Sequence, residues 1–245
     1  MRNTKKTIFL PLCLCALLTA CTSTPSNPRD PLEPLNRVTY KFNDKADRLV
    51  LKPVATAYRD YAPQPIQTGI RNFFNNIEDV FSAINFGLQG EGKPALYNFG
   101  RFALNTTVGL FGFLDVTTGH ERAYGQTGFG LTYARWGWKN SSYLVIPFYG
   151  PSTIRDGTGF LTTVVLTDNT YSNEKVTYAL LVTRAVNTRA KYLGLETTIN
   201  SAALDPYIYT RDAWLQMRAK QAGDTTGLPA EEDINIDDLV KSKKK

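Results

Sequence analysis

Ile70, Phe73, Phe74, Ile77, Val80, Phe81 and Ile84 recur at the spacing of one helix face, in a pattern that resumes at Ile66 after Pro63 and Pro65. A stripe this wide and this aromatic points to a long amphipathic helix. An earlier helix is expected from Asp30-Pro31-Leu32-Glu33. There Asp30 can cap, Pro31 suits the first helical position and Glu33 falls three residues after the cap. Leu35, Val38, Phe42, Leu49 and Val50 continue it at helical spacing until Pro53 interrupts. Gly90 to Pro94 reads as a turn. A third helix is expected to begin at Pro94, take in Leu96, Phe99, Phe102 and Leu104, and run into Gly109 to Leu114, where glycine alternates with bulky apolar residues. Residues 117 to 142 show no clear period. Tyr143 to Phe148 reads either as a short strand or as an irregular segment. Gly157 to Thr167 is apolar and uncharged. Ser172-Asn173-Glu174 opens a helix to about Leu193, Gly194 breaks it, and Glu196 to Leu204 makes a shorter one. Asp205-Pro206 opens a last helix ending near Gly223. The pattern predicts a mainly α chain with one domain over residues 30–222.

The N-terminus carries an address. Arg2, Lys5 and Lys6 precede an apolar run from Ile8 to Leu18, and Leu18-Thr19-Ala20-Cys21 follows. This is the layout of a secretory signal peptide, and its ending resembles a lipobox. Residues 1–20 are therefore expected to be removed and Cys21 to carry acyl chains. The chain's other cysteines, Cys13 and Cys15, leave with the signal, so no intramolecular disulfide is expected. Two or more acyl chains hold a protein stably in a membrane, since each buried methylene contributes about 0.8 kcal/mol. Residues 21–29 read as a linker and 223–245 as a polar, charged, disordered tail. The longest uncharged apolar-rich run after the signal is Phe102 to Leu114, thirteen residues containing Asn105, Thr106 and Thr107. A spanning helix needs roughly 20.

Charge and motif content exclude several functions. The formal charge of +6 includes three bases in the signal. The remainder has no dense basic stripe, so nucleic-acid binding is not expected. His120 is the single histidine, and it sits beside Glu121 and Arg122 in a polar glycine-rich segment, as an exposed loop residue would. No Gly-x-Ser-x-Gly elbow and no zinc-protease helix is present. Gly128 and Gly130 begin like a nucleotide-binding turn, but position 133 is Tyr. Lys93 precedes Pro94, so no phosphate loop forms there. Asp233, Asn235 and Asp237 imitate a calcium loop, yet Asp238 stands where glycine is required. No enzyme activity, metal or cofactor is expected.

Aromatic residues make up 12% of the chain and fall on the amphipathic segments. They fit an ordinary helical core or helices lying in a bilayer interface with the apolar face down. A lipid anchor at Cys21, nine residues before Asp30, favours the second.

Ordered motifs then resemble a known family. They are Asp30-Pro-Leu-Glu-Pro-Leu-Asn36-Arg37 with Tyr40 and Phe42, Pro53-Val54-Ala55, Tyr58-Arg59-Asp60-Tyr61, Gly69-Ile-Arg-Asn72-Phe73, Asn85-Phe86-Gly87-Leu88-Gln89-Gly90, Arg101-Phe102-Ala-Leu-Asn105-Thr106, Gly109 to Asp115, Pro147-Phe-Tyr-Gly150-Pro151 with Arg155-Asp156, and Asp205-Pro206-Tyr207. Over residues 30 to 215 the chain resembles the MlaA (VacJ) outer-membrane lipoproteins. The resemblance implies a ring-like helical domain around an amphipathic passage, lying in the inner leaflet of the outer membrane on its periplasmic side. It implies removal of mislaid phospholipid from the outer leaflet, delivery to a periplasmic phospholipid carrier of the MlaC type, and association with trimeric porins. Within that picture Asn105, Thr106, Gly109, Gly112 and Asp115 are candidates for the passage wall. The chain departs from the family after Trp136-Gly137. There Trp138-Lys-Asn-Ser-Ser-Tyr143 replaces a glycine- and proline-rich stretch, which leaves the local turn open. A lipoprotein that only scaffolds porins or other envelope partners is the competing reading. A lipase ranks below both.

Overall fold

A computed structural model describes residues 27–117, 123–167, 174–194 and 203–223. Cys21, His120, the segment 195–202 and the charged tail lie outside the described residues. Helix α1 (Glu33–Ala46) passes through a π-helical turn (Asp47–Leu51) into α2 (Lys52–Tyr61). Pro53 therefore does not interrupt the chain. It sits in the first turn of α2, where its missing N–H matters least, and the wider π turn before it absorbs the change of register.

Asp30 does not cap α1. The position before the helix is Leu32, with no side-chain cap. Asp30 is fully buried instead, accepting from Asn36 Nδ2 at 2.8 Å and from the Tyr207 hydroxyl at 2.5 Å. A carboxylate that can reach an amide, a phenol and a guanidinium in the interior is better satisfied there than at a wet helix end.

The aromatic stripe forms α3 (Gln64–Leu88), 25 residues long. A tight turn with Gly90 at positive φ leads into α4 (Gly92–Thr107), which begins two residues before Pro94. The two run antiparallel, as Asp79 bonds Arg101 and Asn76 bonds Thr106. α4 does not continue into Gly109 to Leu114. That segment is a tight loop with Leu110, Phe111 and Gly112 in left-handed conformation. Helix α5 (Phe129–Arg135) precedes a two-stranded antiparallel hairpin, β1 (Tyr143–Ile146) and β2 (Gly150–Thr153), with Tyr143 opposite Thr153 and Ile146 opposite Gly150. So short a hairpin is marginal alone. Its free edge is held by α1: Asn36 bonds the Tyr143 carbonyl and the Val145 amide, and Asn43 bonds the Ile146 carbonyl and the Phe148 amide.

Helices α6 (Ile154–Thr167), α7 (Glu174–Lys191) and α8 (Pro206–Ala222) complete the described fold. The Asp205 carboxylate accepts from the amides of Tyr207 and Ile208, and Gly223 ends α8 at φ 67°. Contacts between elements close a circuit: α1, α2, α7, α3, α5, α6, β1 and back to α1. No described helix is long and apolar enough to cross a membrane.

Polarity in α3 and α4 is inverted. Every fully buried residue of α3 is small or polar: Gly69, Asn76, Asp79, Ser82 and Asn85. Those of α4 are Asn98, Arg101 and Asn105. Large apolar side chains face outward, with Leu49 77%, Leu96 74% and Phe111 76% exposed. Apolar packing is confined to small clusters, such as Tyr143, Val145, Tyr207 and Leu215. An ordinary core would bury the opposite faces.

Candidate functional site

The polar faces of α3 and α4 meet in a seam. Asn76, Asp79, Ser82 and Asn85 are spaced by three residues on α3, opposite its apolar stripe. At the centre Arg101 lies between Asp79 at 3.3 Å and Asp115 at 2.7 Å, its side chain only 4% exposed. Burial works against the charges of Arg101 and Asp115. The bonds and charge of Asp115 nevertheless raise the Arg101 pKa, and Thr117 and Arg101 hold the Asp115 carboxyl below the usual carboxylate range despite its desolvation. Buried ion pairs stabilise only when the remaining polar atoms are satisfied. Here Gln126 adds a bond to Asp79 and the Thr117 hydroxyl adds one to Asp115 at 2.6 Å, while Arg101 Nη1 and Asn76 Oδ1 are buried with no hydrogen-bond partner among the described residues.

The five candidate wall residues converge on this seam. Asn105 donates to Asp115 at 3.2 Å, and its side-chain oxygen receives the Val116 amide at 2.9 Å. Thr106 accepts from Asn76 Nδ2 at 2.8 Å. Gly112, at φ 89°, presses its backbone on the Asn76 side chain, where a Cβ would come within 2.6 Å. A Cβ on Gly109 would lie 2.2 Å from the Leu114 carbonyl. The two glycines thus let the loop fold back over the seam while Leu110 and Phe111 project outward. Asn76, Asp79, Asn98 and Arg101, buried on α3 and α4, are not among the wall residues singled out from the sequence. The signal was present as a second, polar stripe on each helix.

The neighbouring glycines have a structural role. A Cβ on Gly159 of α6 would stand 2.3 Å from the Gly130 amide, so Gly130 marks where α5 and α6 cross. The departing segment is organised by Arg155. Its Nη1 donates to the carbonyls of Trp138 and Lys139, and its amide donates to Ser141 Oγ. Asp156 receives both Nε and Nη2 of Arg218, at 2.8 and 2.7 Å. Burial opposes its charge, but Arg218 and Arg155 keep this carboxyl below the ordinary range.

The model of the MlaA lipoprotein family matches residues 28–221. An intermembrane phospholipid transport system lipoprotein MlaA of Haemophilus influenzae is 34% identical over 211 residues, 84% of each chain. The protein of the same name from Escherichia coli K12 is 33% identical over 185 residues, 74% of this chain and 73% of that one. A solved chain from work on the structural basis for maintenance of bacterial outer membrane lipid asymmetry superposes with a TM-score of 0.70 at 32% identity, covering 79% of this chain and 98% of its own. With the matched region taking in the whole circuit of helices and the seam between α3 and α4, the chain belongs to the MlaA lipoprotein family.

Proposed function

We propose that this protein takes mislocalised phospholipid from the outer leaflet of the outer membrane and passes it to a periplasmic carrier, so maintaining lipid asymmetry without enzymatic chemistry. The observation that carries the reading is the inverted polarity: apolar residues outside, and a charged, hydrogen-bonded seam inside. Moving a lipid head through hydrocarbon is costly unless polar groups accompany it. Helices with apolar outer faces suit one leaflet, and the polar seam between α3 and α4 places charged and amide groups of the kind a head group needs beside them. The names of the relatives, as components of a phospholipid transport system, support the same substrate.

In this reading Cys21 is the acylated anchor, the domain sits on the periplasmic side of the inner leaflet, trimeric porins hold it in place, and Asn105 to Asp115 form part of the passage wall. Deleting the protein from a host with no second copy tests the function. Phospholipid appearing at the cell surface is expected, and undisturbed asymmetry would end the reading. Scaffolding alone predicts no phospholipid co-purifying with the protein.

A further inference from the structure

A hollow of about 230 Å³, lined by none of the seam residues, lies between Arg29, the departing segment, the start of α6 and residues 215–219 of α8. A water molecule's share of liquid is about 30 Å³, so the space admits a larger group. Among the described residues four cations line it, Arg29, Lys139, Arg155 and Arg218, and no acid does. Asp156 lies just behind, and this one carboxylate is shared by two guanidiniums, from Arg155 and Arg218. Both are largely buried, where an uncompensated charge is screened least. Lys139 is exposed and pairs with no acid among the described residues, while the side chains of Asn140 and Ser142 bring further polar groups to the rim.

We propose that this hollow binds a phosphate group, with Lys139 as its mobile cation and the buried pair Arg155 and Arg218 as its fixed positive wall. The arginines are already oriented, Arg155 by two carbonyls and Arg218 by Asp156, so little side-chain freedom is lost on binding. Arg29 stands eight residues after Cys21, a reach of about 29 Å when extended. An acylated Cys21 therefore keeps the hollow within range of lipid head groups. Assigning the phosphate to a lipid rests on the proposed transport function; the chemistry of the hollow does not.

The test is titration calorimetry on acylated full-length protein in a neutral detergent. The probes are dihexanoyl-phosphatidylglycerol, inorganic phosphate, and dihexanoylglycerol, which has the same tails and no phosphate. Saturable binding of the phosphatidylglycerol is expected, falling about tenfold in Lys139→Glu, with no binding of dihexanoylglycerol. Lys139 is exposed, so the variant should fold, and unchanged circular dichroism would establish that. Binding of inorganic phosphate alone, lost in the variant, would support the site and assign it to free anions. Equal binding by wild type and variant, equal binding of dihexanoylglycerol, or no binding of either phosphate probe would overturn the proposal. Lipid asymmetry in cells is a separate readout: its persistence after deletion would end the transport reading and leave the titration to decide the hollow.

Discussion

The Tyr207 hydroxyl donates to Asp30 Oδ2 at 2.5 Å, joining the residues ahead of α1 to α8 across 177 residues. Arg211 stands beside the same oxygen at 3.4 Å, and Arg37 lies over the Tyr207 ring while bonding Asp205. Burial, then the Asp30 bond and charge, push the Tyr207 phenol well above its ordinary value, so it remains a donor at any physiological pH. Tyr207→Phe removes a bond to a buried carboxylate and should cost about 1.5–3 kcal/mol. Urea unfolding in detergent measures it, and a change below about 0.5 kcal/mol would mean that Asn36 and Arg211 satisfy Asp30 alone.

The inverted interior makes an unusual contrast. Arg101→Met leaves Asp79 and Asp115 buried without their shared cation and should cost roughly 3–5 kcal/mol. Leu104→Ser, on the outward face of the same helix and 51% exposed, should shift detergent-solubilised stability by no more than about 0.5 kcal/mol. In a conventional helical core the order would reverse, so the two unfolding midpoints decide between them.

Acid should weaken the fold. Asp115 and Asp156 are both held below the usual carboxylate range. Groups of that kind contribute fully above the unfolded value of about 3.9 and lose the contribution as pH falls through the depressed folded value. The urea midpoint should be flat between about pH 5 and 7 and fall below about pH 4. In Asp156→Asn the acid loss should shrink.

Gly109→Leu and Gly112→Leu should disturb the loop over the seam, the first against the Leu114 carbonyl and the second through both Asn76 and its positive φ. The proteins should persist and be acylated while lipid asymmetry fails, seen as detergent sensitivity. Normal asymmetry in both variants would remove residues 105–115 from the proposed passage.

Cys21→Ser should leave an uncut precursor that takes up no labelled palmitate. Normal labelling of that variant would refute Cys21 as the acylated residue.

Local order was legible along the chain. The stripe from Ile66 to Ile84, the cap at Asp205 and the stop at Gly223 depend on neighbours within a turn or two, and the structure reproduces them. Periodicity carries no sign, however. It shows that a helix has two unlike faces and is silent on which one turns inward. Here the answer came from partners far apart in the chain, Asp79 with Arg101 and Asn76 with Thr106, which draw the polar faces together. The same holds for Asp30, whose capping pattern is local but whose stronger partners, Tyr207 and Arg211, arrive from the far end. The hairpin at Tyr143 was ambiguous because its free edge is completed by Asn36 and Asn43 of α1. The basic hollow was invisible, since Lys139, Arg155 and Arg218 come together only once α8 has packed on α5 and β2 and Arg218 has paired with Asp156. Residue pattern settles which segments are helical and where they stop; the pairing of distant polar groups settles what lies inside, because a charge or amide removed from water must find its partner wherever the fold brings one.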